Sequence, residues 1–172
     1  MEYSGKDISK VIPAHLNDLD KITEILNQAT QWGNANAYAT LFKGKDRISW
    51  FKEHMVQKYA IYVFKEDRHV LGYVSISPYR KGREAFLNTA EVSYYVDFNH
   101  HRKGIASCMM LKAFDHCKEK KIKTLLAFLY NHNERSIAFL RKFGFNQWGL
   151  LPRTADAQGK EFDHVIYGKR IV

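Results

Sequence analysis

The residues Thr89-Ala90-Glu91-Val92-Ser93-Tyr94-Tyr95-Val96 run through a polar, basic turn, Asp97 to Lys103, into Gly104-Ile105-Ala106 and a long helical pattern reaching Lys121. The first run predicts a strand over 89–96, with Glu91, Ser93 and Tyr95 on one face and Val92, Tyr94 and Val96 on the other. The helix is legible by angle. At about 100° per residue, Ile105, Ala106, Met109, Met110, Ala113, Phe114 and Cys117 share an arc of roughly 180°, and Ser107, Leu111, Lys112, Asp115, Lys118 and Glu119 fill the remainder. A strand that enters a helix through a basic turn gathers open backbone N–H groups and the positive end of a helix dipole at one place. Such a place suits a phosphate. Gly104 either lets a ligand approach the backbone or only permits a tight connection.

The rest of the chain supplies partners for this unit. Lys10 to Pro13 reads as a short strand stopped by its proline. Asn17 or Asp18 caps a helix with Leu19, Ile22, Ile25, Leu26 and Ala29 at helical spacing. Thr30 to Lys45 is irregular and reads as a binding loop or lid, and Asp46 begins a shorter helix with Ile48, Trp50, Phe51 and Met55. Ala60 to Lys65 and Val70 to Ser77 form a hairpin, and Lys123 to Tyr130 is a further strand. Ser136 to Phe143 is a helix closed by Gly144, and the runs 145–150 and 162–169 close the chain as a hairpin around Asp156 and Gly159. The order predicts a mixed α/β fold, residues 1–172 forming a single domain.

Composition narrows the function. Apolar residues make up 45% and aromatics 14%, which argues for a packed globule over a disordered chain. No apolar run approaches bilayer length and Met1 to Lys10 is polar, so the expectation is a soluble, cytoplasmic protein with no membrane partner. Cys108 and Cys117 fall on opposite sides of one predicted helix, about 13 Å apart along its axis and beyond disulfide reach. Free thiols fit a reducing compartment. The formal charge of +9 invites a nucleic-acid partner. It is dispersed, however, over Arg80-Lys81-Gly82-Arg83, Arg102-Lys103 and Lys118 to Lys123. A nucleic-acid sheet would also carry its aromatics on one exposed face, and Tyr94 and Tyr95 lie on opposite ones. The eight histidines show no ligand spacing, so no metal is expected.

Several segments, taken in order and spacing, carry a resemblance: Ser77-Pro78-Tyr79-Arg80, Thr89 to Val96, His101 to Ala106, Asn133-Glu134-Arg135-Ser136-Ile137, Phe143-Gly144-Phe145 and Phe162-Asp163. Over roughly Val11 to Lys169 the chain resembles the GCN5-related N-acetyltransferase superfamily, and within it the phosphinothricin and methionine sulfoximine acetyltransferase branch. The resemblance implies a central, mostly antiparallel twisted sheet, splayed at the cofactor site and flanked by helices. It implies acetyl-coenzyme A as donor. Val96 and Phe98 would place backbone groups along the pantetheine. The turn from His101 through Arg102, Lys103, Gly104, Ile105 and Ala106 to Ser107 would hold the pyrophosphate. Asn133 would bond the pantetheine arm, or serve only as a helix cap, and Ser136 would lie near the cofactor. A homodimer is implied as well.

Glu91 resembles the family's general base. An aliphatic ammonium titrates near pH 10 and a free glutamate near pH 4, so direct proton transfer is uphill by about 8 kcal/mol. Burial must raise the carboxylate, the site must lower the amine, or water must relay the proton. The family's usual Arg or Gln is His101 here, and its commoner Gly is Ala106. Leu140 stands where relatives carry His or Tyr as a proton donor to the leaving thiolate, so the substitute donor would be water or a neighbouring Tyr such as Tyr130. Arg80 and Arg83 resemble the positions that hold an amino-acid carboxylate, with Tyr38 also on the substrate side. The expected reaction is acetylation of a small-molecule primary amine, an amino acid or analogue. A peptide, protein or polyamine acceptor, a nucleic-acid-binding module and a coenzyme-binding protein without catalysis are the alternatives.

Overall fold

Two apolar clusters on opposite faces of one sheet determine how the chain is arranged. The computed structural model describes residues 7–33, 36–55, 58–157 and 159–171. Its strands are β1 (Val11–Pro13), β2 (Ala60–Glu66), β3 (His69–Pro78), β4 (Thr89–Val96), β5 (Thr124–Tyr130), β6 (Asn146–Ala157) and β7 (Lys160–Arg170). Its helices are α1 (Leu19–Trp32), α2 (Ile48–Glu53), α3 (Ile105–Glu119) and α4 (Glu134–Lys142). The seven strands form one sheet in the order β1-β2-β3-β4-β5-β7-β6. Every neighbouring pair is antiparallel except β4 and β5. That exception follows from connectivity, because α3 carries the chain back across the sheet before β5 begins.

One face packs Val92, Leu125, Ala127 and Leu129 against Ile105, Met109, Met110 and Ala113 of α3 and Ile137 and Leu140 of α4. The other packs Ile61, Val63 and Tyr73 against Ile22, Ile25 and Leu26 of α1 and Phe51 of α2. Where α3 crosses the sheet it comes very close. A Cβ on Gly72 would lie 2.9 Å from the Tyr95 carbonyl oxygen, 3.1 Å from Met109 Cε and 3.2 Å from Ile105 Cγ2. Only a residue without Cβ fits there unshifted.

Several features differ from the sequence reading: α2 begins at Ile48, after a 3-10 turn over Gly44–Arg47, and not at Asp46, and Met55 lies beyond its end at Glu53. Asp18 holds the N-cap position of α1, as one of the two expected residues, but its side chain makes no capping bond to that helix; it closes a 3-10 turn over Leu16–Asp18, and its carboxylate accepts the His15 N–H at 2.9 Å. The helix then runs to Trp32, so the following loop starts at Gly33 and not at Thr30. Ser107, expected outside the apolar arc of α3, is buried, as are Cys108 and His116. His116 is tolerated inside because both ring nitrogens find partners, the Tyr62 hydroxyl and the Lys58 carbonyl, each at 3.0 Å. Finally, β6 continues past Leu150. Its register breaks between Leu151 and Ala155, around Pro152 and the left-handed Arg153, and then resumes. An edge strand accepts such an interruption, because a proline there removes no inner ladder bond.

Cys108 and Cys117 are both buried and are not bridged. Burial pushes the Cys117 thiol up to about 12, which keeps it protonated. No helix of the described residues is long and apolar enough to cross a membrane.

Candidate active site

The parallel pairing of β4 and β5 covers only Thr89, Ala90 and Glu91 against Thr124, Leu125 and Leu126, although the strands continue to Val96 and Tyr130. Beyond Glu91 they part. The backbone groups that face the opening can be read from the ladder. Asp97 N–H donates to Leu71 O at 2.9 Å and Tyr79 N–H to Thr89 O at 3.4 Å, so odd-numbered residues of β4 bond toward β3. Alternation turns the amides of Tyr94 and Val96 the other way, toward β5. The Val96 carbonyl is taken by His101 Nε2 at 3.0 Å. That contact ties the end of the strand to the turn that follows.

Within that turn Arg102 (φ 64°) and Gly104 (φ 83°) are both left-handed. Ser107 and Cys108 N–H both bond to Gly104 O, so the N–H groups at the start of α3 point out of its end. Arg102 and Lys103 are exposed beside them. Open N–H groups beside two exposed cations are the arrangement suited to cradle an anion.

Asp97 fastens this turn to the rest of the molecule. Its carboxylate accepts from Lys21 Nζ of α1 at 2.9 Å and from Asn99 N–H at 3.0 Å. Burial alone would raise its pKa, but these bonds win and bring it down to about 2. Phe98 N–H donates to Gln28 Oε1 of α1 at 2.9 Å, and its ring meets Trp32 edge-on. On its other side α1 holds the loop that follows it. Asn27 Nδ2 donates to Phe42 O at 2.8 Å and Asn27 Oδ1 accepts Phe42 N–H at 3.0 Å.

The Asp97 bonds predict a measurable effect. Asp97→Asn should cost about 1–2 kcal/mol after discounting for partial screening by solvent, or a fall in Tm of about 2–8 °C at pH 7. The folded pKa is depressed, so the contribution is complete above the unfolded value near 3.8 and is lost as pH falls through about 2. By pH 3 the difference between wild type and variant should shrink to roughly half. Equal differences at both pH values would refute this account.

Glu91 stands where the strands part, opposite Ser77 of β3 and Leu126 of β5. It is half-buried, and burial raises its carboxyl above the ordinary range against the opposing Ser93 hydroxyl. Ser77 Oγ donates to His54 Nε2 at 2.7 Å, because His54 Nδ1–H is committed to the Trp50 carbonyl, also at 2.7 Å. Burial holds the His54 pKa low, which favours this neutral tautomer. On the same face Tyr95 stacks on Tyr73 with centroids 5.3 Å apart. Burial pushes the Tyr73 hydroxyl up to about 12, with Arg47 acting against it.

The expected site residues fall into distinct groups. Tyr130, by register and alternation, shares the face of Glu91, packed among His132, Phe162 and His164. Arg80 and Arg83 are exposed and line a cavity of about 430 Å³ with Tyr79, Lys81 and Phe86. Tyr38 lies apart from that cavity, edge-on to Phe42 at 4.9 Å. Asn133 caps α4, its Oδ1 accepting Ser136 N–H at 3.2 Å, which commits its oxygen and leaves its NH₂. Leu140 is 1% exposed within the core and offers no proton.

Several members of the site were missed by the sequence reading. Tyr94 packs on Phe139, and its buried hydroxyl lies toward Ser136 without completing a hydrogen bond. Lys21, Gln28, Ser77, His54 and Arg47 joined the site only through long-range packing. Arg47 carried one local signal, a basic residue three positions before Trp50 at the start of a helix.

Comparison with known proteins agrees with this geometry. YwnH of Bacillus subtilis strain 168, named as a candidate phosphinothricin acetyltransferase, is 30% identical over 158 residues, covering 92% of this chain and 96% of its own. The L-methionine sulfoximine/L-methionine sulfone acetyltransferase of Pseudomonas aeruginosa PAO1 is 29% identical over 153 residues, 87% of each chain. A crystal structure of a GNAT superfamily phosphinothricin acetyltransferase from Sinorhizobium meliloti, in complex with AcCoA, superposes with a TM-score of 0.87 at 25% identity, covering 93% of this chain and 86% of that one. The sequence model of the acetyltransferase (GNAT) family matches residues 19–145. The parted β4–β5 strands, the anion cradle and these matches together identify the chain as an acetyltransferase belonging to the GNAT family.

Proposed function

We propose that this acetyltransferase moves an acetyl group from acetyl-coenzyme A to the primary amine of a small molecule, an amino acid or analogue of the methionine sulfoximine and phosphinothricin type. The observation that carries the reading is Glu91, a half-buried carboxylate with a raised pKa at the point where β4 and β5 separate. The residues present fit the donor. Tyr94 and Val96 N–H face the gap along its length, and the left-handed Arg102 and Gly104 with Lys103, Ile105, Ala106 and Ser107 form the cradle for its phosphates. His101 holds Val96 O in place, and the Asn133 NH₂ and Ser136 border the arm. Phe98 contributes its ring, since its N–H is held by Gln28. Bound there, acetyl-coenzyme A supplies the acyl group as a thioester.

Positioning does most of the work: rigid strands bring amine and carbonyl together, and the β4 amides polarise the carbonyl. Glu91 takes the amine proton. Its raised pKa narrows the gap of about 8 kcal/mol that an ordinary glutamate would face. Tyr130, kept protonated by burial, donates to the departing thiolate, with the Tyr94 hydroxyl as the second phenol at the gap. Arg80, Lys81 and Arg83 give the approach a positive field, which favours anionic or zwitterionic acceptors over polyamines. A homodimer in the cytoplasm is part of the same reading.

Thiol release from acetyl-coenzyme A tests it, measured across amino acids, methionine sulfoximine, phosphinothricin, polyamines and short peptides. The expected result is turnover confined to the amino-acid class. Turnover on polyamines or peptides alone would reject the acceptor assignment and leave the donor assignment intact.

A further inference from the structure

Arg47 is a buried cation for which the described residues provide no counter-charge. It ends the 3-10 turn Gly44–Arg47 that leads into α2, and it is 6% exposed. Its guanidinium carbon lies 3.7 Å from the Trp50 ring centroid and 6.0 Å from that of Phe42. The residues that deliver it are fixed. Asn27 clamps the Phe42 backbone through two hydrogen bonds, and the Asp46 carboxylate, turned back to Lys43 N–H at 2.8 Å, is occupied elsewhere. The nearby Glu53 pairs with Lys81 at 3.2 Å. No ion pair to Arg47 occurs among the described residues, and its Nη1 is buried without a hydrogen-bond partner.

Burying a guanidinium this way is costly unless something anionic completes it. The aromatic stack offsets part of that cost and leaves the fork of donors pre-aimed. The position is informative too. Arg47 acts on Tyr73, which stacks on Tyr95, and Tyr95 shares its strand face with Glu91 and Ser93. Tyr95 also lies within electrostatic reach of both Glu91 and Arg47. A base and a guanidinium that no carboxylate of the described residues neutralises, its Nη1 without a hydrogen-bond partner, thus flank one face of β4, the arrangement suited to a molecule carrying an amine and a carboxylate.

We propose that Arg47 binds the carboxylate of the acceptor and sets the preference for amino acids. This rests on the acetyl-transfer reading above. The exposed Arg80 and Arg83 steer the acceptor in, and the buried fork anchors it, because water screens a charge at the surface far more than one inside.

The test compares methionine and methionine sulfoximine with their amides, which keep the amine and lose the negative charge. Wild type should favour each acid over its amide by at least about 30-fold in kcat/KM. In Arg47→Gln that ratio should collapse, with the change in KM and with the amide's kcat/KM moving by less than about threefold. Arg47→Lys, which keeps the charge without the fork, should fall between and covers the case in which Arg47→Gln does not fold. An undiminished ratio in both variants, or a ratio lost in Arg80→Ala and kept in Arg47→Gln, overturns the proposal. So does a wild type that does not distinguish acid from amide. Should no amine be acetylated, the function reading fails by itself. Thermal shift then decides this one: stabilisation of wild type by methionine but not methioninamide, absent in the Arg47 variants, upholds it, and equal shifts overturn it.

Discussion

Glu91→Gln should lower kcat/KM by about 10²- to 10⁴-fold, the range for loss of a general base, with KM values changing little. The amide keeps the shape of the carboxylate but accepts no proton. Wild type should also lose activity on the acid side as Glu91 protonates, at a pH above the ordinary 4.5 because burial raises its pKa. The residual rate of the variant should lack that limb. Stability separates this from a structural role. A carboxyl raised on folding makes its ionised form a cost at neutral pH, and the folded state regains that cost as pH falls through the raised pKa. Removing the charge should therefore leave Tm unchanged or slightly higher at pH 7. A fall in Tm alongside the fall in rate would mean that Glu91 supports the fold and not the chemistry.

Gly72→Ala should be the most damaging small change away from the reacting groups. The added methyl meets the Tyr95 carbonyl oxygen at 2.9 Å, closer than real Cβ atoms stand, with Met109 and Ile105 closing the other sides. Met109 Cε can swing away, but a backbone oxygen cannot move without its strand. Overpacking of this kind costs about 1–3 kcal/mol, or a fall in Tm of about 2–12 °C. The strand that must shift is β4 at Tyr95, beside the Val96 amide that faces the gap, so KM for acetyl-coenzyme A should rise about tenfold while acceptor KM changes less. A variant with wild-type Tm and donor KM would show that β3 gives way at Gly72 without displacing β4.

The sequence made the central unit legible because its signals are local. The run over 89–96 and the glycine at 104 place β4, the turn and α3 within a residue or two of where they lie. Glu91 is singled out by the resemblance, as the position of the family's general base, and the strand pattern adds only the face on which it lies. The misreading of Ser107 came from treating α3 as a helix with one buried side. Tyr62 of β2 and Lys58 just before it also reach α3, and His116 is enclosed there with both ring nitrogens hydrogen-bonded. The break in β6 at Pro152 likewise mimicked a strand end, because nothing local says that pairing resumes at Ala155. Arg80 and Arg83 drew attention as a visible cluster. Arg47 did not, because its lack of an ion pair among the described residues is a property of the folded neighbourhood and leaves no pattern along the chain.

In the proposed reading, helix α1 touches both the donor wall and the acceptor wall. Lys21 and Gln28 hold the turn after β4, while Asn27, one position from Gln28, holds the loop that bears Phe42. A donor that adjusts the first wall shifts the same rigid element that sets the second. Whatever factor donor binding adds to acceptor affinity through α1, acceptor binding must return to the donor, since the coupling free energy belongs to the pair. Cutting the helix's grip at Asn27 would release both ligands from that shared account, leaving each to bind as though the other were absent.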